Sequence, residues 1–188
     1  MGDNMNMKPC ECEHDFTLVI DGVTEMTQGV VDALFEAGCD DATVGMRSGR
    51  MFITFSRTST SMKDAILSAI TNVRSAGIGA EVLRVDYCNL VTISDVARKI
   101  GRSRQLVHQY MRGARGPGGF PGPVCEIVEG TCLWAWREVA FWLWENDMIK
   151  EDILRTAEEV EAINAFLDMR LQEKRNKKLT QEIKKAIA

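Results

Sequence analysis

From Phe16 to Asp86 the apolar positions change period several times. Phe16–Ile20 is a short apolar run with one Thr, closed by Asp21-Gly22, and reads as a strand. Val30, Val31, Leu34 and Phe35 recur at helical spacing and stop at Gly38, which suits a helix C-terminus. Ala42–Met46 and Met51–Phe55 flank Arg47-Ser48-Gly49-Arg50, which predicts a hairpin. Ser61–Ser75 places Met62, Ile66, Ile70 and Val73 on one helical face, and Ala76-Gly77 ends it. Ala80–Val85 is a last strand.

That order, β-α-β-β-α-β, is the ferredoxin-like arrangement, and it predicts an α+β domain over residues 16–88 behind a disordered tail of residues 1–15. Residues 89–148 have a different texture: two short helices, a Gly/Pro-rich stretch, a small hairpin and a Trp-rich helix. Residues 149–188 are helical by pattern. Ile153, Val160 and Leu167 recur every seven residues, with Ile149 and Ile163 at the intervening position; Thr156 and Arg170 interrupt that second seam. The seam suits either a helix packed on its own chain or a dimerisation helix. No internal repeat is present.

The most informative run is Val91 to Met111. Ser94 is placed to cap a first helix carrying Val96, Ala97 and Ile100, and Gly101 ends it. Ser103 is placed to cap a second helix with Leu106, Val107, Tyr110 and Met111 inward. Arg104, Gln105, His108, Gln109 and Arg112 then face outward. Ala97 is small where two helices must cross, and Gly101 makes the tight turn. This predicts a helix-turn-helix, whose second helix enters the major groove N-terminus first. Arg can reach guanine O6 and N7, and Gln can reach adenine N6 and N7. Arg104, Gln105, His108 and Gln109 are thus the expected base readers, and Arg102, Ser103, Arg112 and Arg115 the expected phosphate contacts. The bland counterpart is an αα-hairpin of an unrelated helical core, which the exposed chemistry disfavours.

Arg115 to Val124 is a turn-rich Gly/Pro connection. Cys125–Val128 and Thr131–Trp134 are expected to pair around Glu129-Gly130 as a wing, with Cys125, Ile127, Cys132 and Trp134 on one face. Trp136–Trp144 continues as a helix with Val139, Ala140 and Leu143 inward. Together, residues 90–144 resemble the winged helix-turn-helix modules of MerR-like excisionases and AlpA-type prophage regulators. The features that carry the resemblance are Ser94–Val107, Gly-Gly-Phe-Pro-Gly-Pro-Val and Leu-Trp-Ala-Trp-Arg-Glu-Val-Ala-Phe-Trp-Leu. The whole chain also looks like bacterial helix-turn-helix proteins of unassigned role, which open with Phe-Thr-Leu-Val-Ile-Asp-Gly and an Ala-Gly-Cys-Asp-Asp-Ala turn. The resemblance implies a DNA-binding regulator; excisionases are usually smaller and lack the N-terminal domain.

Charge supports this only when divided by region. The whole chain, 188 residues, has a net charge of −4, but residues 1–88 carry 7 basic and 13 acidic side chains, whereas 98–115 carry six basic and no acidic ones. Phosphate responds to that local field. No apolar stretch is long enough to span a membrane, and Met1–Asp15 lacks the basic start and apolar run of a signal peptide. A cytoplasmic protein with reduced thiols is expected.

Other constellations are weaker. Cys10, Cys12 and His14 are three metal-ligand types in five residues, but structural zinc normally takes four ligands with wider cysteine spacing, so an incidental tail is the better reading. His108 has no nucleophile placed to act with it. Asp40-Asp41 reads as a solvated turn before a cation site. Cys125 and Cys132 suit a buried wing, and Cys39 and Cys88 have no evident partner. The four tryptophans of 134–144 suit core packing better than a base-stacking platform. The sequence thus predicts a non-enzymatic, cofactor-free, homodimeric regulator of double-stranded DNA, with the N-terminal domain open to a protein partner. The alternatives are an excisionase-like architectural factor, or an interaction module such as an antitoxin or the regulatory subunit of a defence system.

Overall fold

The protein is a mixed α+β chain, seen here as a computed structural model that describes residues 11–187. It divides into two units: residues up to Asp86 together with those from Ala162 onward, and Tyr87–Glu161. The first is built on β1 (Cys12–Asp21), α1 (Gln28–Glu36), β2 (Ala42–Arg47), β3 (Arg50–Ser59), α2 (Met62–Ser75) and β4 (Glu81–Val85). The sheet runs β2-β3-β1-β4, with every neighbouring pair antiparallel. Period-2 alternation sends Phe16, Leu18 and Ile20 of β1 and Met51, Ile53 and Phe55 of β3 to one buried face. Helix α2 covers them with Ala65, Ile66, Ala69, Ile70 and Val73. The β2–β3 hairpin closes on Ser48 and Gly49, both at positive φ, as expected of a two-residue turn.

Strand β1 starts at Cys12, inside the segment expected to be a disordered tail. The cause is nonlocal: β3 runs on to Ser59 and gives Cys12–Asp15 a pairing partner from Ser56 to Ser59. Cys12 and His14 lie 3.3 Å apart, Sγ to Nε2. Cys10, the third expected ligand type, lies outside the described residues, and these contain no cluster of three metal-ligand side chains.

Asp40 and Asp41 lie in the turn before β2 as expected, with Asp40 exposed, but the Asp41 carboxylate is taken up by an arginine rather than left to solvent. It accepts from Arg57 Nε at 2.6 Å and Nη2 at 2.8 Å, while Arg57 also donates to Gly38 O and Ser68 Oγ. Arg57 is only 8% exposed and lies over the Phe55 ring. The charge is buried but saturated, the condition under which burial is tolerated. Neighbouring Cys39 is buried too, and burial pushes its thiol up, with Arg57 opposing.

The second unit comprises β5 (Leu90–Val91), α3 (Ile93–Lys99), α4 (Arg104–Met111), β6 (Trp134–Ala135), α5 (Trp136–Glu145) and the start of α6 (Glu151–Arg175). Its core joins Val96, Ala97, Val107, Trp136, Val139, Ala140, Leu143, Leu154 and Ala157. Asn176 interrupts the C-terminal helix, and α7 (Lys177–Ile187) follows. Along α6 the seam residues Val160 and Leu167 are buried within their own chain, so this seam is not an open face for a second copy. Asn164, at the same seam, is 1% exposed and grips the edge strand β4: its Oδ1 accepts from Val85 N–H at 2.8 Å, and its Nδ2 donates to Val85 O at 3.1 Å. A polar side chain thus saturates backbone groups that an edge strand leaves open. Among the described residues no helix is long and apolar enough to cross a membrane.

Candidate nucleic-acid interface

Local sequence builds the α3–α4 pair. Thr92, not Ser94, caps α3: its hydroxyl accepts from Asp95 N–H at 3.2 Å, and the Asp95 carboxylate accepts from Thr92 N–H at 2.9 Å. This reciprocal cap satisfies two otherwise open donors. The Thr92 backbone and hydroxyl donors hold the Asp95 carboxyl below its ordinary value. Ser94 lies one residue inside the helix and is exposed. At the other end Arg102 N–H bonds Ala97 O at 2.9 Å around Gly101, whose φ is +62°. A side chain there would meet no other atom, so only the left-handed backbone calls for glycine. Two residues on, Ser103 caps α4 as expected, its hydroxyl accepting from Leu106 N–H at 3.3 Å.

On α4 only Val107 is fully buried, while Leu106, Tyr110 and Met111 are half-buried. At 100° per residue, Arg104, His108, Arg112, Gln105 and Gln109 fall within an arc of about 140° opposite that side. Arg102, Ser103, Arg104, Gln105, Arg112 and Arg115 are exposed; His108 and Gln109 are half-buried. The expected base readers therefore share one sector, with Arg104 and Gln105 the most prominent.

The six basic residues of 98–115 separate into two kinds. Arg98 is paired with Asp95, and Lys99 lays its ammonium 4.1 Å from the Tyr87 ring centre and 5.0 Å from that of Trp136. Burial draws the Lys99 pKa down, and its charge is engaged in packing. Arg102, Arg104, Arg112 and Arg115 make no side-chain hydrogen bond and no ion pair among the described residues. Four free guanidinium groups thus bracket one exposed helix face, which is the equipment for binding phosphate and base edges.

The Gly/Pro connection after α4 is held by tryptophan. Trp142 Nε1 donates to Gly118 O at 2.8 Å, Trp134 Nε1 donates to Pro121 O at 3.0 Å, and Phe120 meets Trp142 edge-on at 5.1 Å. Trp134, Trp136 and Trp142 are core residues, as their spacing implied; Trp144 stays exposed.

The expected wing is not a regular hairpin. Only Cys125 and Leu133 form a bridge, Glu126 has a φ of +53°, and Ile127 and Val128 are exposed. Trp134 is drawn away to pair with Val91 in the β5–β6 ribbon, which buries its ring and breaks the expected alternation. Pattern reading also missed the exposed Phe141 and Trp144, whose rings lie 6.0 Å apart; Phe141 lines a hollow of about 400 Å³ with Gly119, Pro121, Glu138 and Glu145. Their i, i+3 spacing was the available signal.

Comparison with protein-family models, curated proteins and solved structures finds no match to this chain. The functional reading therefore stands on the geometry above.

Proposed function

We propose that this chain is a sequence-specific double-stranded DNA-binding protein, a non-enzymatic bacterial or phage transcriptional regulator working in the cytoplasm. The observation that carries the proposal is the set of four unpartnered arginines around the exposed face of α4. In this reading α3–Gly101–α4 is a helix-turn-helix of the winged type, and α4 enters the major groove. Arg104, Gln105, His108 and Gln109 read bases, and Arg102, Ser103, Arg112 and Arg115 hold phosphate. Ser103 fits that role while capping, since its oxygen accepts from Leu106 N–H and its O–H is left to donate. The short, acid-bearing 125–133 segment contributes little to DNA affinity.

The strand order β2-β3-β1-β4 with helices between supports a ferredoxin-like reading of the N-terminal domain. That domain serves as the regulatory module or protein-docking part. A homodimer places two copies of α4 about one turn of DNA apart. Its contact comes from a surface other than the Ile153/Val160/Leu167 seam, and the apolar face of α7, with Leu179, Ile183 and Ile187 exposed, is available.

The test separates the two classes of residue. Gln105→Ala and Gln109→Ala relax base preference, costing roughly 1–3 kcal/mol at a selected site and little on scrambled duplex. Arg112→Ala and Arg115→Ala weaken both duplexes alike. If all four variants bind both duplexes as the parent does, α4 is not the reading element. The exposed Phe141–Trp144 pair would then favour the second reading, a protein-interaction module, to be tested by Phe141→Ala against a captured partner.

A further inference from the structure

The basic side chains of the C-terminal stretch from Arg170 to Lys185 play no part in the DNA contacts proposed above, and some of them converge on a hollow in the sheet unit. The hollow has a volume of about 280 Å³ and is lined by Arg74, Glu81, Val82, Leu167, Arg170 and Lys174, with Gly79, Ala80 and Leu171 completing the wall. Arg74 comes from the last turn of α2, and Arg170 and Lys174 from α6. Three cationic groups from two elements thus face one carboxylate.

That carboxylate is already taken. Lys174 Nζ donates to Glu81 Oε2 at 2.7 Å. Arg74 and Arg170 make no side-chain hydrogen bond or ion pair among the described residues. Partial burial and the neighbouring Arg170 charge both push the Arg74 pKa down, with Glu81 opposing. An interaction of Arg74 with the C-terminal carbonyls of α2 accounts for one arginine at this place. It does not account for a second one brought against it from another helix. Two guanidinium groups beside a single carboxylate that is bonded to Lys174 leave donors unused, and a bidentate oxyanion is what completes them. The buried Val82 and Leu167 add an apolar wall beside the charge. The volume lies just under the range of drug-sized ligand hollows, roughly 300–1,000 Å³, which suits a small ligand.

We propose that the hollow between Arg74 and Arg170 binds the phosphate group of a small phosphorylated molecule. Arg74 and Arg170 hold the phosphate oxygens, Lys174 adds a third positive charge while bonded to Glu81, and Val82 and Leu167 meet the organic part. The site belongs to the sheet unit and is independent of the DNA reading of α4.

The experiment is thermal unfolding of the full chain with inorganic phosphate or glycerol 3-phosphate, against sodium chloride at matched ionic strength. The parent is expected to gain at least ~2 °C in midpoint with either phosphate over chloride. A larger gain with glycerol 3-phosphate is expected from use of the apolar wall, and equal gains would overturn the role given to Val82 and Leu167. Arg170→Gln, an exposed position, removes the gain, and Arg170→Lys restores part of it; Arg74→Gln repeats the loss from the other element. Isothermal titration of phosphate into the same variants serves if a variant unfolds early. A parent that responds to phosphate as it does to chloride overturns the site. So does an unchanged phosphate response in Arg170→Gln. Reduced duplex affinity of Arg170→Gln with no phosphate response assigns the charges to nucleic acid and likewise overturns the small-molecule site.

Discussion

Arg57 and Arg104 are the same residue type put to opposite uses. In the sheet unit, Arg57 is buried with Asp41, Ser68 and the Gly38 carbonyl saturating its guanidinium. In the helical unit, Arg104 and its neighbours Arg102, Arg112 and Arg115 stand in solvent without partners. A saturated charge holds a fold together, because removing it strands its partners in a dry place. An unsaturated charge on a rigid helix does nothing for the fold and is free for a ligand. The contrast separates structural from functional arginine by hydrogen-bond accounting alone, and each side of it can be broken.

The largest effect is expected at Arg57. Arg57→Ala should lower stability by about 3 kcal/mol, the low end for breaking a buried pair, because the Asp41 carboxylate loses both its guanidinium donors while the Gly38 carbonyl keeps only Asn72 Nδ2. Urea unfolding measures it. Arg104→Ala should change stability by less than about 0.5 kcal/mol in the same titration, as for a solvated surface residue. Equal losses for the two would erase the distinction.

A smaller effect is expected where the helix pair turns. Gly101→Ala places a side chain at a φ of +62° with no atom nearby to clash, so the cost is conformational, about 1–2 kcal/mol. Amide exchange should show it as faster opening of α3 and α4. Gly101→Asn should cost less, since Asn tolerates that backbone better. Identical costs for Ala and Asn would mean that a clash, rather than the backbone, sets the penalty.

The smallest effect is pH-dependent. Thr92→Ala should cost ~1 kcal/mol near neutral pH by removing the reciprocal cap. The carboxyl of Asp95 is held below its unfolded value by Thr92 donors, so its contribution is present above the ordinary carboxylate pKa, near 4. It is lost as pH falls through the lower folded value. Asp95→Asn should accordingly match the parent at strongly acidic pH, fall behind it as pH rises from the lowered folded value to about 4, and stay behind by a constant amount above that. A difference that is constant with pH would remove the Asp95 charge from the cap.

Much of this was legible in the chain because it is local. The strands and helices of residues 16–86 follow from apolar period, and the α3–α4 turn from Gly101 and Ser103 standing two residues apart. Within the same helix pair, Ser94 and Thr92 are both competent caps. The discriminator was Asp95, three residues after Thr92, which completes the reciprocal pair. What was not legible is nonlocal. Trp134 pairs with Val91 while the expected wing keeps a single Cys125–Leu133 bridge, pairing of β3 with Cys12–Asp15 orders part of the expected tail, and Arg57 reaches sixteen positions back to Asp41. The Ile153/Val160/Leu167 seam has the period of a helix interface whatever covers it, and period alone does not say that its own chain does. Within the candidate site, local pattern found every outward residue of α4. It did not show that Lys99 and Arg98 are occupied while four arginines are free.

Those four arginines carry the account's central claim, and salt dependence tests it most directly. The measurement is the affinity of the full chain for a scrambled duplex across a range of salt concentrations, for the parent and for an Arg102→Gln/Arg112→Gln/Arg115→Gln variant. With the three assigned phosphate contacts gone, the slope of log K against log salt should flatten by about 3, close to one per contact, while urea unfolding stays at the parent value. A variant with the parent's slope and affinity would contradict the account and place any DNA-binding surface away from α4.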